Sequence, residues 1–460
     1  MPNGPLIPSQ PVVAAFIAVT LFVAGRVVIR RTALAERDPW LAKALTVCLV
    51  LHLACAPLQI WVVDHLYQGI ADYNRYDSQG ALLSHGFRHL NPSLAPGHLQ
   101  GIVSDGAVSI VAGLVFAVIG VNQIGAFLVF SWLAFIGIIY FYRAFTLTFG
   151  SAGRHRYGIL LFFLPTLVFW TSDVSKEAIM TFLLGPLSYG CARILTHRGG
   201  GYGLVVVCSA AGVFIRPNEV LLALGGFTVA MLLRPAGPHA RLEGARRTVS
   251  LVVLGSMVGV AVFVTLHYLP GTHGSLSLTQ ISRNNSGTGA GFGSSNVGYS
   301  ASLASYPRDI YTVLFDPLPF NAHGGGQWFS AVENTVLVGV VLASLRHLWL
   351  VPRAMLARTY VAMCLLFSGA FLYAFASLGN LGLITRERTV MMPFFLVLLC
   401  IPRGPRHQPP RYEWELSRQD RLRRRRALDA ASSRRSARPP RRPPAPAPGL
   451  PAGRQVPSPT

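Results

Sequence analysis

The chain has 460 residues, 52% of them hydrophobic and only 13% charged, with a formal net charge of +22. A soluble domain of this size needs a more charged surface to stay dispersed, so composition excludes that class. The positive excess does not point to nucleic acid, which is not expected as a partner: from Pro402 onward fifteen arginines face four acids, half of the net charge, and the rest falls mainly in short links between apolar runs.

Apolar runs recur at 11–29, 44–63, 106–121, 124–142, 158–171, 178–195, 203–216, 219–233, 249–268, 330–349, 359–377 and 388–401. A helix of about 20 such residues crosses the roughly 30 Å hydrocarbon core, and only helices satisfy their own backbone there. The expectation is an all-α polytopic integral membrane bundle of about 11–12 transmembrane helices over residues 1–401. The first run, Pro11 to Ile29, carries Arg30 and Arg31 after it rather than before it. That is the pattern of a first transmembrane helix with an outer N-terminus, not of a cleavable signal.

The Lys/Arg-bearing links lie at 30–43, 143–156, 193–198, 234–247 and 346–358 and should be cytoplasmic, together with the tail at 402–460. From residue 143 onward the alternation closes. Before it there is one conflict: if 106–121 and 124–142 both cross, the 143–156 link lands outside. Either one of the two is re-entrant or interfacial, or the N-terminus is inside. Two outer segments are long, about 64–105 and 270–328, and the second contains the Gly/Ser/Asn-rich stretch RNNSGTGAGFGSSNVGYS. Both a lid and a plain connection fit that stretch. Its GTGAGFG lacks a preceding strand and a Lys-Ser/Thr ending, so it is not read as a phosphate loop. The Arg/Pro-rich tail reads as a disordered segment attached to anionic inner-leaflet lipid.

Cys48, Cys55, Cys191, Cys208, Cys364 and Cys400 all fall in apolar runs without CxxC spacing or histidine partners, which suits small buried hydrophobes rather than disulfides or a metal. Five polar groups need another explanation, because ionisable residues tight against apolar helix are costly. The first, IADYNRYDSQG, places Asp72, Arg75 and Asp77 just beyond the second run. Two carboxylates around an arginine can supply a general base, a metal ligand or an acceptor for sugar hydroxyls, with an ordinary solvated loop as the bland alternative. Tyr73 and Tyr76 suit sugar stacking or the interfacial aromatic belt.

The second, FWTSDVSKEA, is a short turn with Asp173, Lys176 and Glu177. Ser172 or Asp173 as helix cap and Glu177 in the first turn explain the acids, whereas Lys176 opposes the helix dipole and a phosphate would relieve it. The third, IRPNE, sets Arg216 beside Glu219, either as a pair or with Arg216 reaching a lipid phosphate. The fourth ends the long loop with Arg308, Asp309, Asp316 and His323, and puts Glu333 inside a helix, where it either serves a function or pairs with an arginine of a neighbouring helix. The fifth, GLITRERTVMMPFF, sets Arg386, Glu387 and Arg388 on the outer side of the last run. Two arginines there run against the positive-inside preference, which an anionic ligand would explain, or Glu387 neutralises one of them.

ADYNRYD, PTLVFWTSDVSKEA, IRPNE and GLITRERTVMMPFFLVLL resemble segments of bacterial multi-pass envelope proteins, the GT-C-type glycosyltransferases and the O-antigen or exopolysaccharide polymerases. That resemblance implies a lipid-phosphate-linked sugar as donor and action at the outer face of the plasma membrane. It implies Asp72 or Asp77 as base, and the arginines as ligands of the diphosphate. The expected substrate-binding residues are Arg75, Lys176, Glu177, Arg216, Glu333, Arg386 and Arg388. No cofactor is expected, and a requirement for a divalent metal stays open. A transporter or flippase of a lipid-linked or anionic substrate is the alternative, and would show inverted repeats and broken helices at the midplane. A non-catalytic envelope scaffold that docks partners through its basic tail is the third reading.

Overall fold

The computed structural model describes residues 10–36, 38–66, 69, 71–91, 102–234, 248, 251–252, 254–259, 262–263, 306–322, 325–376 and 381–402. The expectations placed on the 234–247 link, on most of the run at 249–268, on the Gly/Ser/Asn-rich stretch, on His323 and on the basic tail lie outside these residues.

The described residues form helices, with no strand among them. In chain order these are α1 (Pro11–Glu36), α2 (Pro39–Leu66), α3 (Asp72–Arg88), α4 (Asp105–Ile119), α5 (Gln123–Phe149), α6 (Arg154–Phe163), α7 (Pro165–Phe169), α8 (Lys176–Leu195), α9 (Tyr202–Ile215) and α10 (Pro217–Leu232). Five more follow: α11 (Tyr306–Phe315), α12 (Gly325–Leu348), α13 (Val351–Ala357), α14 (Thr359–Phe375) and α15 (Leu381–Leu399). Among the described residues five helices are long and apolar enough to cross a membrane: Pro11–Leu34, Pro39–His65, Gln123–Phe149, Lys176–Leu195 and Gln327–Leu348. Four of the other expected crossings are shorter apolar helices, at Asp105–Ile119, Tyr202–Ile215, Pro217–Leu232 and Thr359–Phe375. The run at 158–171 is interrupted between α6 and α7, because Pro165 has no amide to continue the helical ladder.

Helix α1 leaves Val12, Phe16, Val19, Val23 and Val27 exposed at spacings of three and four, one apolar face along its whole length. A contiguous stripe of that kind is unsuited to water and ordinary against lipid. Helices α5 and α8 lie inside: Gly137 and Gly185 let their backbones approach so closely that an added Cβ at either would collide with the partner's main chain. Small residues at such a seam are what membrane helices use to pack.

The contacts fix which way each helix runs. Asn122, at the start of α5, donates to the Gln10 carbonyl, and Gly125 lies against Ile17, so α1 and α5 begin at the same end. Helix α8 runs alongside α5, with Arg143 reaching Tyr189 near the far end. Helix α9 returns, α10 begins where α9 stops, and Arg388 near the start of α15 meets Asn334 near the start of α12. At the opposite end Arg156 bonds His347 and Ser344, and the His347 ring lies 2.6 Å from the Ile401 carbonyl oxygen.

The first long outer segment is the main departure from expectation, since it contains α3. Helices α3 and α4 run parallel in register: Arg75 pairs with Asp105, Ser109 donates to Gln79, Gly80 packs on Ala112 and Gly113, and Arg88 donates to the Phe116 and Ala117 carbonyls. Helix α4 starts against Lys176 at the head of α8 and finishes beside Gly125 at the head of α5. Both of its ends therefore stay where α1, α5 and α8 begin, and α4 does not traverse the bundle. Of the two readings of the 106–142 conflict, the one in which one segment fails to cross holds, and the Arg143 to Arg156 link falls at the other end.

Candidate functional site

Five helices begin at one end of the bundle and deliver charged residues to a single network. Asp72 opens α3, Asp105 opens α4, Lys176 and Glu177 open α8, Arg216 and Glu219 bracket the start of α10, and Arg386 to Arg388 lie in the first half of α15. Unpaired amides and the positive end of each helix dipole favour carboxylates in these first turns, which explains why Asp72, Asp105, Glu177 and Glu219 are placed there.

Arg216 is the hub. Its guanidinium reaches Glu177 Oε1 and Glu219 Oε1 at 2.6 Å each, and Glu387 Oε1 at 2.9 Å. Glu177 and Glu219 are wholly buried, and each retains an oxygen without a partner. Arg386 extends the network, with Nη1 2.7 Å from Asp72 Oδ2 and Nε 3.0 Å from Glu177 Oε1. Asp72 is 54% exposed, so its bridge to Arg386 is the wet edge of an otherwise dry assembly. On the other flank Lys176 lies 2.6 Å from Asp105 Oδ1 and donates to Ser104 Oγ, while Arg75 and the Tyr76 hydroxyl also bond Asp105. The conflict between Lys176 and the dipole of α8 is thus relieved by the chain's own Asp105.

The cap of α8 is neither Ser172 nor Asp173 but Ser175, whose Oγ accepts from the Ala178 amide at 3.3 Å. Ser172 instead donates to Val168 O, and Asp173 is left buried with Oδ1 unpartnered. Asp77 is similarly placed: it is buried on α3, Oδ2 accepts from Gln123 Nε2 at 3.3 Å, and Oδ1 has no partner. Burial, opposed by the Gln123 bond and aided by the neighbouring Asp173 charge, pushes the Asp77 carboxyl up to about 8. Burial likewise pushes Asp173 up to about 7, against the lowering effect of Arg386 and Ser175. Two carboxyls that hold protons near neutrality therefore stand beside carboxylates locked into ion pairs.

The expected site residues divide accordingly. Asp72, Asp77, Arg75, Lys176, Glu177, Arg216 and Arg386 gather at this end. Glu333 and Arg388 form a separate buried unit 3.7 Å apart, in which Arg388 also donates to Asn334 and to the Leu314 carbonyl. This is the structural pair between neighbouring helices. Arg308 is exposed, and Asp316 accompanies the turn after α11. Sequence reasoning passed over Asp105 and Gln123, and read Asp173 as a cap. The burial of Tyr73, Tyr76, Gly80 and Leu83 at spacings of three and four is the signal that α3 exists, and with it that Asp77 points inward. Among the described residues no group of three or more His, Cys, Asp or Glu side chains is arranged to hold a metal ion. No family model, no curated protein and no solved structure matches the chain.

Proposed function

We propose that the chain is a plasma-membrane enzyme that transfers or polymerises sugars carried on a polyprenyl phosphate or pyrophosphate, with its acidic end on the outer face. The observation that supports this reading is that Asp77 and Asp173 are two buried carboxyls each with an unpartnered oxygen, Asp77 within the field of Asp173 and Asp173 within that of Arg386, whose partner Asp72 is half-exposed. A carboxyl that exchanges its proton near neutral pH is suited to take the proton of an attacking sugar hydroxyl. The hydroxyl oxygen would bond the anomeric carbon, the bond from that carbon to the phosphate oxygen would break, and the lipid phosphate would leave with the bonding pair. A guanidinium fork binds a phosphate as well as it binds a carboxylate, so Arg386 would exchange Asp72 for the donor. Asp77 is then the base, Asp173 tunes it, and Asp72 is a placeholder rather than a base.

Binding of a short-chain polyprenyl pyrophosphate to the detergent-purified protein tests this. Arg386→Ala should weaken binding at least about tenfold, roughly 1.4 kcal/mol, and Asp72→Asn should strengthen it by vacating the fork. Asp77→Asn should bind normally yet abolish sugar transfer. Absence of binding by the wild type, or weaker binding by Asp72→Asn, overturns the proposal.

The transporter reading draws on a different observation. Ser131 Oγ bonds Ser172 Oγ at 2.9 Å and lies 3.3 Å from His52 Nδ1, a buried polar chain leading inward from the residue beside Asp173. Movement of a labelled polyprenyl-linked sugar across proteoliposomes, retained in Asp77→Asn, would favour it over the enzyme.

A further inference from the structure

At the other end of the bundle Arg143 of α5 and Arg193 of α8 converge on one side chain. The Arg143 guanidinium stands 4.7 Å from the Tyr189 ring centre and that of Arg193 5.7 Å, and both donate to the Tyr189 hydroxyl, at 3.2 and 3.5 Å. Arg143 also lies 5.7 Å from the Tyr140 ring centre. Two like charges held on one phenol repel unless an anion lies between them.

The nearest carboxylate does not fill that role. Glu36 Oε1 is 4.0 Å from Arg143 Nε, beyond hydrogen-bond reach, and that buried Nε–H has no acceptor. Burial pushes the Glu36 carboxyl up despite its bond to Thr146 and the nearby Arg143, Arg154 and Arg198, so it is an incomplete counter-ion. Arg154 is already committed to Asp38 at 3.0 Å, and Arg193 spends Nε and Nη2 on the Gly199 carbonyl. What remains is a half-buried site with one orphan guanidinium N–H, two cations and an aromatic wall. A buried donor without a partner costs about 1–3 kcal/mol, and a tetrahedral oxyanion offers acceptors to both forks at once.

We infer that Arg143, Arg193 and Tyr189 form a binding site for a phosphate group at the basic end of the bundle, distinct from the acidic end where the sugar chemistry is placed. The phosphate can come from an anionic phospholipid headgroup or from a soluble phosphate, and both present the same oxygens.

The test uses the full chain purified in detergent. Thermal unfolding and native mass spectrometry would be followed on adding phosphatidylglycerol, phosphatidylcholine, or inorganic phosphate with glycerol phosphate. The expected result is selective retention and a higher melting temperature with phosphatidylglycerol. That selectivity should fall about tenfold in Arg143→Gln with Arg193→Gln, and persist in Arg30→Gln with Arg31→Gln, which removes two exposed charges elsewhere. An equal shift with glycerol phosphate assigns the source as soluble phosphate and still supports the site. Should the double variant fail to fold, Arg193→Lys is the substitute, since it keeps the charge and removes the fork. Full selectivity in the variant that folds, or equal loss in the Arg30 and Arg31 control, overturns the inference.

Discussion

Arginine is used in opposite ways at the two ends of this bundle. Where α3, α4, α8, α10 and α15 begin, each guanidinium meets at least one carboxylate, and Arg216 alone holds Glu177, Glu219 and Glu387. Where α8 and α12 finish, arginines meet aromatic rings, backbone carbonyls and histidines: Arg193 meets Tyr189 and Gly199, and Arg156 meets His347. The difference follows from helix polarity. Amide ends collect acids that then recruit arginines, whereas carbonyl ends accept arginines directly, with Glu36 and Asp38 as the acids beside Arg143 and Arg154. The acidic end is consequently dry and interlocked, and the basic end is open to added anions.

Removing the hub should be the most damaging way to break this contrast. Arg216→Met removes the guanidinium shared by three carboxylates, two of them wholly buried, leaving Glu177 to Arg386 alone, and should destabilise the protein by about 3–5 kcal/mol. Arg156→Met at the basic end removes a guanidinium with no carboxylate in its bonds to His347 and Ser344, and should cost about 1 kcal/mol. Thermal unfolding in detergent compares them, and equal losses would erase the distinction.

A pH series sharpens it further. The folded-state pKa values of Asp77 and Asp173 are raised to about 8 and about 7, so the folded protein holds these protons more tightly than the unfolded chain does. Their contribution to stability is full below the ordinary carboxylate pKa of about 4 and is lost as pH rises through about 7 to 8. The melting temperature should fall between pH 5 and pH 8.5, and the fall should flatten in Asp77→Asn with Asp173→Asn. An unchanged slope in that variant would remove these carboxyls as its source.

The smallest effect concerns the helix cap. Ser175→Ala leaves the Ala178 amide without its acceptor and should cost about 1 kcal/mol, while Ser172→Ala should leave the α8 cap intact. The reverse order would restore the cap to the position first expected from sequence.

Much of the helical framework is legible in the sequence because helices that are apolar on most sides, whether inside the bundle or on its surface, stand out as long apolar runs. The runs at 124–142 and 178–195 correspond to α5 and α8, and the helical setting of Glu333 and its arginine partner are both found. What the apolar runs do not disclose is α3: DYNRYDSQGALLSHGFR contains no such run, the three-and-four spacing of Tyr73, Tyr76, Gly80 and Leu83 is a weaker signal, and its burial comes from packing on α4 and α5. Because α3 was hidden, so was the inward placement of Asp77 on Gln123. Asp105 was hidden for a related reason: its partners Arg75 and Lys176 lie 30 and 71 positions away, a separation at which no local pattern reports contact. The turn before α8 misled in another way, because the stretch TSDVS offers several competent caps and the backbone chooses among them. The polar residues at 72, 75, 77, 176, 177, 216, 333, 386 and 388 were read as one group, whereas the separate Glu333–Arg388 pair and the division of the rest into fixed ion pairs and proton-holding acids depend on packing and burial.

The in-register pairing of α3 with α4 has a consequence for parity. Since α4 returns to the end it started from, it drops out of any tally of crossings, and the sidedness of everything downstream is reversed relative to a chain in which it spans. Residue 11 then stands at the acidic end and residue 401 at the basic end, so the number of traverses between them is odd whatever path the intervening segments take. Residues 11 and 401 therefore mark opposite ends of the bundle.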